Sequence, residues 1–223
     1  MIYIERGPAP ADYLDLATAA SRKLSDFLDR AEELAQQRVP FEARVWKRAK
    51  PELLKRFHDK CAYCESVLST VGVVDIEQYR PKSIYPHLAY EWDNLLVACR
   101  ACNFAKGDRF PLYSDQDPLL LDPCKDRPEQ HLVFGADGKV VSDTVRGQGT
   151  ILGQIQHLKE NYQDWRVARQ SRERTRRLCR DWCELERFLL PGAPYQALAK
   201  KLIADRVTSS MRRDIASLLR RPA

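Results

Sequence analysis

Two Cys-x-x-Cys pairs, Cys61 with Cys64 and Cys99 with Cys102, stand at either end of the stretch CAYCESVLSTVGVVDIEQYRPKSIYPHLAYEWDNLLVACRACNFAK. Each pair offers two thiolates from one tight turn, and four such ligands complete a tetrahedron around Zn²⁺ with no position left for water, so the expected metal is structural. The other use of four cysteines, a pair of disulfides, needs an oxidising compartment. The opening MIYIERGPAP puts an acid and prolines where a secretory leader needs an apolar stretch, which favours a reducing cytoplasm and zinc.

Four further residues lie inside or just beyond this clasp. Glu77 closes the β-branched run VGVVDIEQY, Asn94 follows the aromatic-acidic pair Trp92-Asp93, and Asn103 and Lys106 come directly after the last cysteine. Carboxylate and amide oxygens suit a hard cation such as Mg²⁺ or Mn²⁺. Hydrolysis of a phosphodiester needs such a cation, an activated water and assistance to the leaving oxygen. A zinc clasp that pins its two ends together would gather these distant segments. His58 precedes the first pair, but four thiolates already saturate the metal, so it reads as a surface or helix-end residue. Cys179 and Cys183, one turn apart, make only half a metal site and read as buried small hydrophobes, and Cys124 carries no functional signal.

The elements that must position these groups give an α+β chain, mainly helical around a central zinc-stabilised unit. Residues Ala11 to Arg38 read as a helix with Leu14, Ala17, Leu24, Leu28, Ala31 and Ala35 on one face. A second helix spans about Phe41 to His58, with Val45, Trp46, Leu53, Leu54 and Phe57 as its apolar contacts and a kink or new start at Pro51. Val71 to Tyr79 reads as a strand stopped by Arg80-Pro81, and Asp93-Asn94 as the start of a helix carrying Leu95, Leu96 and Val97. Asp137-Gly138 suits the turn of a hairpin between Val133-Phe134 and Val140-Val141. The chain reads as helical from Gln148, with a last helix at roughly Tyr195 to Arg220. Four segments follow: an N-terminal helical segment 1–58, the zinc-bound core 59–115, a connector with a hairpin 116–145, and a basic helical region 146–223.

Residues 146–223 carry 17 Lys and Arg against 8 Asp and Glu, a balance of +9, whereas the first 145 residues balance at −3. A basic half joined to a near-neutral one fits a phosphate-binding surface, a solvated helical face or a docking surface for an acidic protein. Arg166, Arg169, Arg172, Arg176 and Arg180 recur at three- and four-residue steps, as a phosphate-contacting stripe or as salt-bridge partners of the neighbouring acids. No apolar run approaches the roughly 20 residues of a membrane-spanning helix, so no membrane association and a cytoplasmic location are expected.

The segments CAYCE, IEQYRPKS, LAYEWDNLL and CRACNFAKGDRFPL together resemble the HNH nuclease family, whose core is a ββα-metal unit. The similarity covers about residues 50 to 115 and is closest to the branch in bacterial anti-phage systems, retron-associated members and the nuclease component of Septu-type systems. RGQGTI, Arg146 to Ile151, also resembles that branch. The resemblance implies that Glu77 and Asn103 bind the catalytic Mg²⁺ or Mn²⁺, that Asn94 mainly orders its loop and that Lys106 assists. It implies DNA as substrate and an ABC-class ATPase as partner. Arg80 and Lys82, beside the acidic position, join the arginine stripe as candidate nucleic-acid contacts. The family's general-base histidine is replaced here by Gln78. An amide can hold a water by hydrogen bonding but cannot take its proton near neutral pH, and loss of a base costs roughly 10² to 10⁴ in rate. His87, in the neighbouring loop, is the other candidate base. Gln78 is either natural, as in a decayed or modified nuclease, or an inactivating substitution. The expected function is therefore a weakened or inactive HNH endonuclease of a defence system. The alternatives are a catalytically degenerate nucleic-acid-binding subunit and a protein-interaction adaptor.

Overall fold

The structure, a computed structural model, describes residues 1–30, 33, 37–70, 72–113, 117–134, 140–151, 192, 193, 195–198, 200, 201 and 204. Over these the chain is α+β. Helix α1 spans Ala11–Leu28 and buries Tyr13, Ala17, Ala20 and Leu24, a stripe at helical spacing. Leu14, expected on that face, is exposed. The helix ends well before Arg38: Asp29 N–H bonds Ser25 O and Arg30 N–H bonds Phe27 O, tightening the last turn. Helix α2, Ala43–Arg56, runs continuously through Pro51. A proline in a helix interior costs about 3 kcal/mol. Here the fully buried stripe Val45, Ala49 and Leu53 offsets that cost. His58 and Asp59, both at positive φ, turn the chain out of the helix.

Strands β1 (Val74–Gln78) and β2 (Leu95–Cys99) form an antiparallel pair in which Glu77 faces Leu96 and Gln78 faces Leu95. Residues Leu95 to Val97 are thus strand, not helix, and only the 3₁₀ turn Trp92–Asn94 is helical in that region. All five side chains of β2 are buried. A helix would turn part of this apolar run to solvent, whereas a strand covered on both faces buries it whole. Helix α3, Arg100–Lys106, follows β2 directly and packs on both strands. The N-terminal helices cover the other side, fastened by Tyr13 Oη to Tyr90 O at 2.6 Å, Trp46 Nε1 to Ala89 O at 2.8 Å and Trp92 Nε1 to Gly7 O at 2.9 Å.

The strands β3 (Val133–Phe134) and β4 (Val140–Val141) pair antiparallel, as expected. The turn expected at Asp137-Gly138 lies outside the described residues, as do Cys179, Cys183, the five stripe arginines and most of the expected last helix. Helix α4, Val145–Thr150, begins three residues before Gln148 and is capped by Thr144, whose hydroxyl accepts Gly147 N–H at 3.1 Å. Arg146 holds it to the core through a bidentate pair with Asp126, 2.6 Å at each nitrogen, and donates to Leu120 O, which also accepts Tyr79 Oη at 2.5 Å. The close approach needs glycine: a Cβ on Gly147 would overlap His131 O and Ser142 Oγ, and one on Gly149 would lie 2.7 Å from Leu119 Cβ. Overpacking of this kind costs about 1–3 kcal/mol. Gly147→Ala is therefore expected to lower the thermal midpoint by roughly 2–10 °C, measured by circular dichroism.

Candidate metal centre and adjoining polar site

The first cysteine pair sits on a knuckle between α2 and β1. Cys61 N–H bonds Ser66 O, Glu65 N–H bonds Cys61 O and Ala62 N–H bonds Val97 O, so the knuckle is stitched both to itself and to β2. Glu65 takes positive φ (61°) to close the turn. The second pair spans the end of β2 and the first turn of α3, so one cluster joins knuckle, hairpin and helix. The four Sγ atoms all lie within 4.8 Å of one another. Cys64 and Cys99 sulfurs are 3.8 Å apart. A tetrahedron with Zn–S bonds of about 2.3 Å separates its sulfurs by about 3.8 Å, and a disulfide needs about 2.05 Å. The cluster therefore fits a metal such as zinc. Burial holds the Cys61 thiol in its neutral form, a desolvation cost that a bound cation offsets.

Beside the cluster, β1 and α3 face each other across two rungs. Strand alternation puts Asp75 and Glu77 on one face, and Asn103 and Lys106 are one helical turn apart. Asn103 Nδ2 donates to Asp75 Oδ2 at 2.9 Å. Lys106 Nζ lies 2.5 Å from Glu77 Oε1 and donates to Gln78 O at 2.8 Å. Glu77 and Lys106 are almost wholly buried, 4% and 1% exposed. Glu77 Oε1 is held there in a buried ion pair with the Lys106 ammonium. Asn103, having spent its amine on Asp75, presents its carbonyl Oδ1 as an acceptor. The groups suited to a hard cation are thus the Glu77 carboxylate, paired with Lys106, and Asn103 Oδ1, oriented by Asp75. Asp75 was missed from sequence; the signal was its i, i+2 spacing from Glu77 on the strand.

The other expected residues are distributed around this pair. Asn94 lies behind the site, where its side chain accepts Arg80 N–H at 2.8 Å and donates to the carbonyls of Arg80 and Leu88, each at 3.0 Å. It orders the loop after β1. Gln78 accepts from Lys82 Nζ at 3.4 Å. Arg80 is stacked over Phe110 and Tyr85, 4.9 and 5.2 Å from the ring centroids. His87 is exposed and stands edge-on to Tyr85. No contact between His87 and Gln78 or Glu77 is present among the described residues.

No family model matches the chain. It is similar to Septu proteins. Over 127 residues it is 34% identical to Septu protein PtuB of Bacillus mycoides (strain KBAB4), covering 45% of this chain and 43% of that one. Over 111 residues it is 32% identical to Septu protein PtuB of Bacillus thuringiensis, covering 48% and 42%. Septu protein PtuA of Bacillus mycoides is 30% identical over 127 residues, 45% of this chain and 18% of that one. The chain thus spans less than half the length of these relatives. No helix among the described residues is long and apolar enough to cross a membrane.

Burial raises the Glu77 carboxyl from its ordinary 4.5 to about 7, against the lowering effect of Lys106. Because the folded pKa is the higher one, the native state holds this proton more tightly than the unfolded chain. Stability from this group is complete at low pH and is lost as pH rises from about 4.5 to about 7. Without added divalent cation, thermal stability should fall across that window, and Glu77→Gln should flatten the fall. Lys106→Met should push the Glu77 titration, followed by NMR, still higher. Metal analysis should find about one zinc per chain, and Cys61→Ser or Cys102→Ser should abolish it and unfold the knuckle.

Proposed function

We propose that the chain is the HNH endonuclease component of a Septu-type anti-phage defence system, cutting DNA with activity weakened by Gln78. The observation that carries the reading is the facing pair of rungs, Asp75 with Asn103 and Glu77 with Lys106, held beside the four-cysteine cluster. In this reading β1, β2 and α3 are the ββα-metal unit and zinc in the cysteine cluster is its scaffold. The similarity to Septu proteins PtuB and PtuA supports the defence assignment. The partner proposed with it is an ABC-class ATPase of the same system. A cytoplasmic location follows from the substrate.

Glu77 and Asn103 would hold Mg²⁺ or Mn²⁺, which would supply charge stabilisation to the phosphate and its leaving oxygen. Asp75 holds the Asn103 amine, so the amide oxygen is the atom that would be offered to a cation. Lys106 balances the Glu77 carboxylate before the cation arrives and, through Gln78 O, fixes the end of β1. Asn94 sets the direction in which the chain leaves that strand, and with it Arg80 and Lys82. Gln78 occupies the place where a base would stand and cannot take the proton, so turnover is limited at that step.

Plasmid cleavage with Mg²⁺ tests the reading. Gln78→His is expected to raise the rate by roughly 10² to 10⁴, and Glu77→Ala in the same background to remove the gain. A Gln78→His variant that binds DNA tightly yet cuts nothing, with a Septu ATPase present, would favour the degenerate binding subunit instead. Neither binding nor cutting would leave the adaptor.

A further inference from the structure

Lys82 is half-buried in the loop after β1, and its surroundings are unusually well defined for a lysine. Its Nζ sits 5.2 Å from the Trp46 ring centroid and 5.9 Å from that of Phe41, and donates to Gln78 Oε1 at 3.4 Å. The aromatic faces attract the ammonium without neutralising it. The two rings also lie against each other, 5.9 Å between centroids, and Trp46 is fixed by its bond to Ala89 O. The Gln78 amide could be turned either way, but an ammonium has only donors, so its neighbour must present the carbonyl oxygen. That bond takes one of the oxygen's two lone pairs.

We propose that Lys82 is the phosphate-contacting cation of this site and that Gln78 is its positioning residue, with Trp46 of α2 as the platform. The ligand is a phosphodiester oxygen of a nucleic-acid backbone. This rests on the reading of the chain as a DNA-processing protein. It gives Gln78 a task that histidine would perform less well: a neutral acceptor orients the ammonium and leaves its full charge for phosphate. It also makes the N-terminal helical segment part of the site.

The test is binding of a fluorescein-labelled DNA duplex to the full chain, by anisotropy across a salt series, with variants checked for equal zinc content and thermal midpoint. Lys82→Met should weaken binding about tenfold at low salt and reduce the slope of log affinity against log salt by about 0.9, the loss of one phosphate contact. Lys82→Arg should keep the slope. Gln78→Met should weaken binding several-fold in the parent chain and have no effect in the Lys82→Met background, because it acts only through Lys82. If the parent chain binds and Lys82→Met leaves the slope unchanged, the assignment of Lys82 falls while the proposed function stands. If Gln78→Met is equally harmful in both backgrounds, its positioning role falls. Failure of the parent chain to bind the duplex at any salt overturns both this assignment and the nuclease reading.

Discussion

Four cysteine sulfurs drawn within 4.8 Å of one another, from segments 35 residues apart, are the constraint on which the other contacts depend. An isolated two-stranded hairpin is marginal in water. Here β1 and β2 are five residues each, and β1 carries two acids and an amide. Closing a loop of this length by a permanent crosslink removes about 3–4 kcal/mol of chain entropy from the unfolded state, and a metal that bridges both pairs does so at both ends of the hairpin at once. The same knuckle receives other parts of the chain. Glu65 takes the Met1 amino group at 2.5 Å, Lys60 donates to Gln196 Oε1 at 3.1 Å, and Ser66 meets the Tyr195 hydroxyl at 3.1 Å. A loop of a few residues is thereby a junction for segments at either end of the sequence.

The junction explains why polar groups can be buried beside it. Glu77 and Lys106 are removed from water at a cost of several kcal/mol per charge, and their attraction repays this only with good geometry. Lys106 divides its donors between the Glu77 carboxylate and the Gln78 carbonyl. A chain selected for stability alone would be served as well by an apolar pair. The pair lies on the same strand and helix as Asp75 and Asn103, whose amide Asp75 orients. Buried charge gathered inside a rigid frame in this way marks a candidate site.

Much of this was legible in the sequence because it rests on spacing. The cysteine pairs gave the clasp, and the β-branched run before Arg80-Pro81 gave β1 within a few residues. The helix expected at Leu95 to Val97 was wrong because Asp93-Asn94 resembles a helix start, while the deciding factor, burial of all five β2 side chains between α2 and α3, is tertiary. Helix α1 was overextended because the alanines at 31 and 35 keep the helical period in the sequence, a signal that does not mark where a helix stops. Leu14 was assigned inward by the same period, one position out of phase with Tyr13, whose ring is anchored by Tyr90 O and Trp92. Asp75 passed unremarked although its i, i+2 spacing puts it on the face of Glu77, because its role depends on Asn103, which only the packing of α3 brings to it. The stripe arginines and residues 152–190 lie outside the described residues.

What no local pattern could supply is how the N-terminal helices reach the polar site. Trp46 lies on the flank of α2, away from the stripe Val45, Ala49 and Leu53 that packs inward. Its indole N–H is bound to Ala89 O, and its ring stands beside Tyr90 at 5.7 Å and Phe41 at 5.9 Å. Tyr90 in turn accepts the Glu42 N–H and lends its carbonyl to Tyr13. An aromatic group tied at both ends in this way has little rotamer freedom left to lose, so a cation resting on it is ordered at small entropic cost. The helices that a sequence reading assigns only to packing therefore supply the aromatic seat on which Lys82 rests. Separating segment 1–58 from the core would leave Lys82 in the chain without the rings that order it.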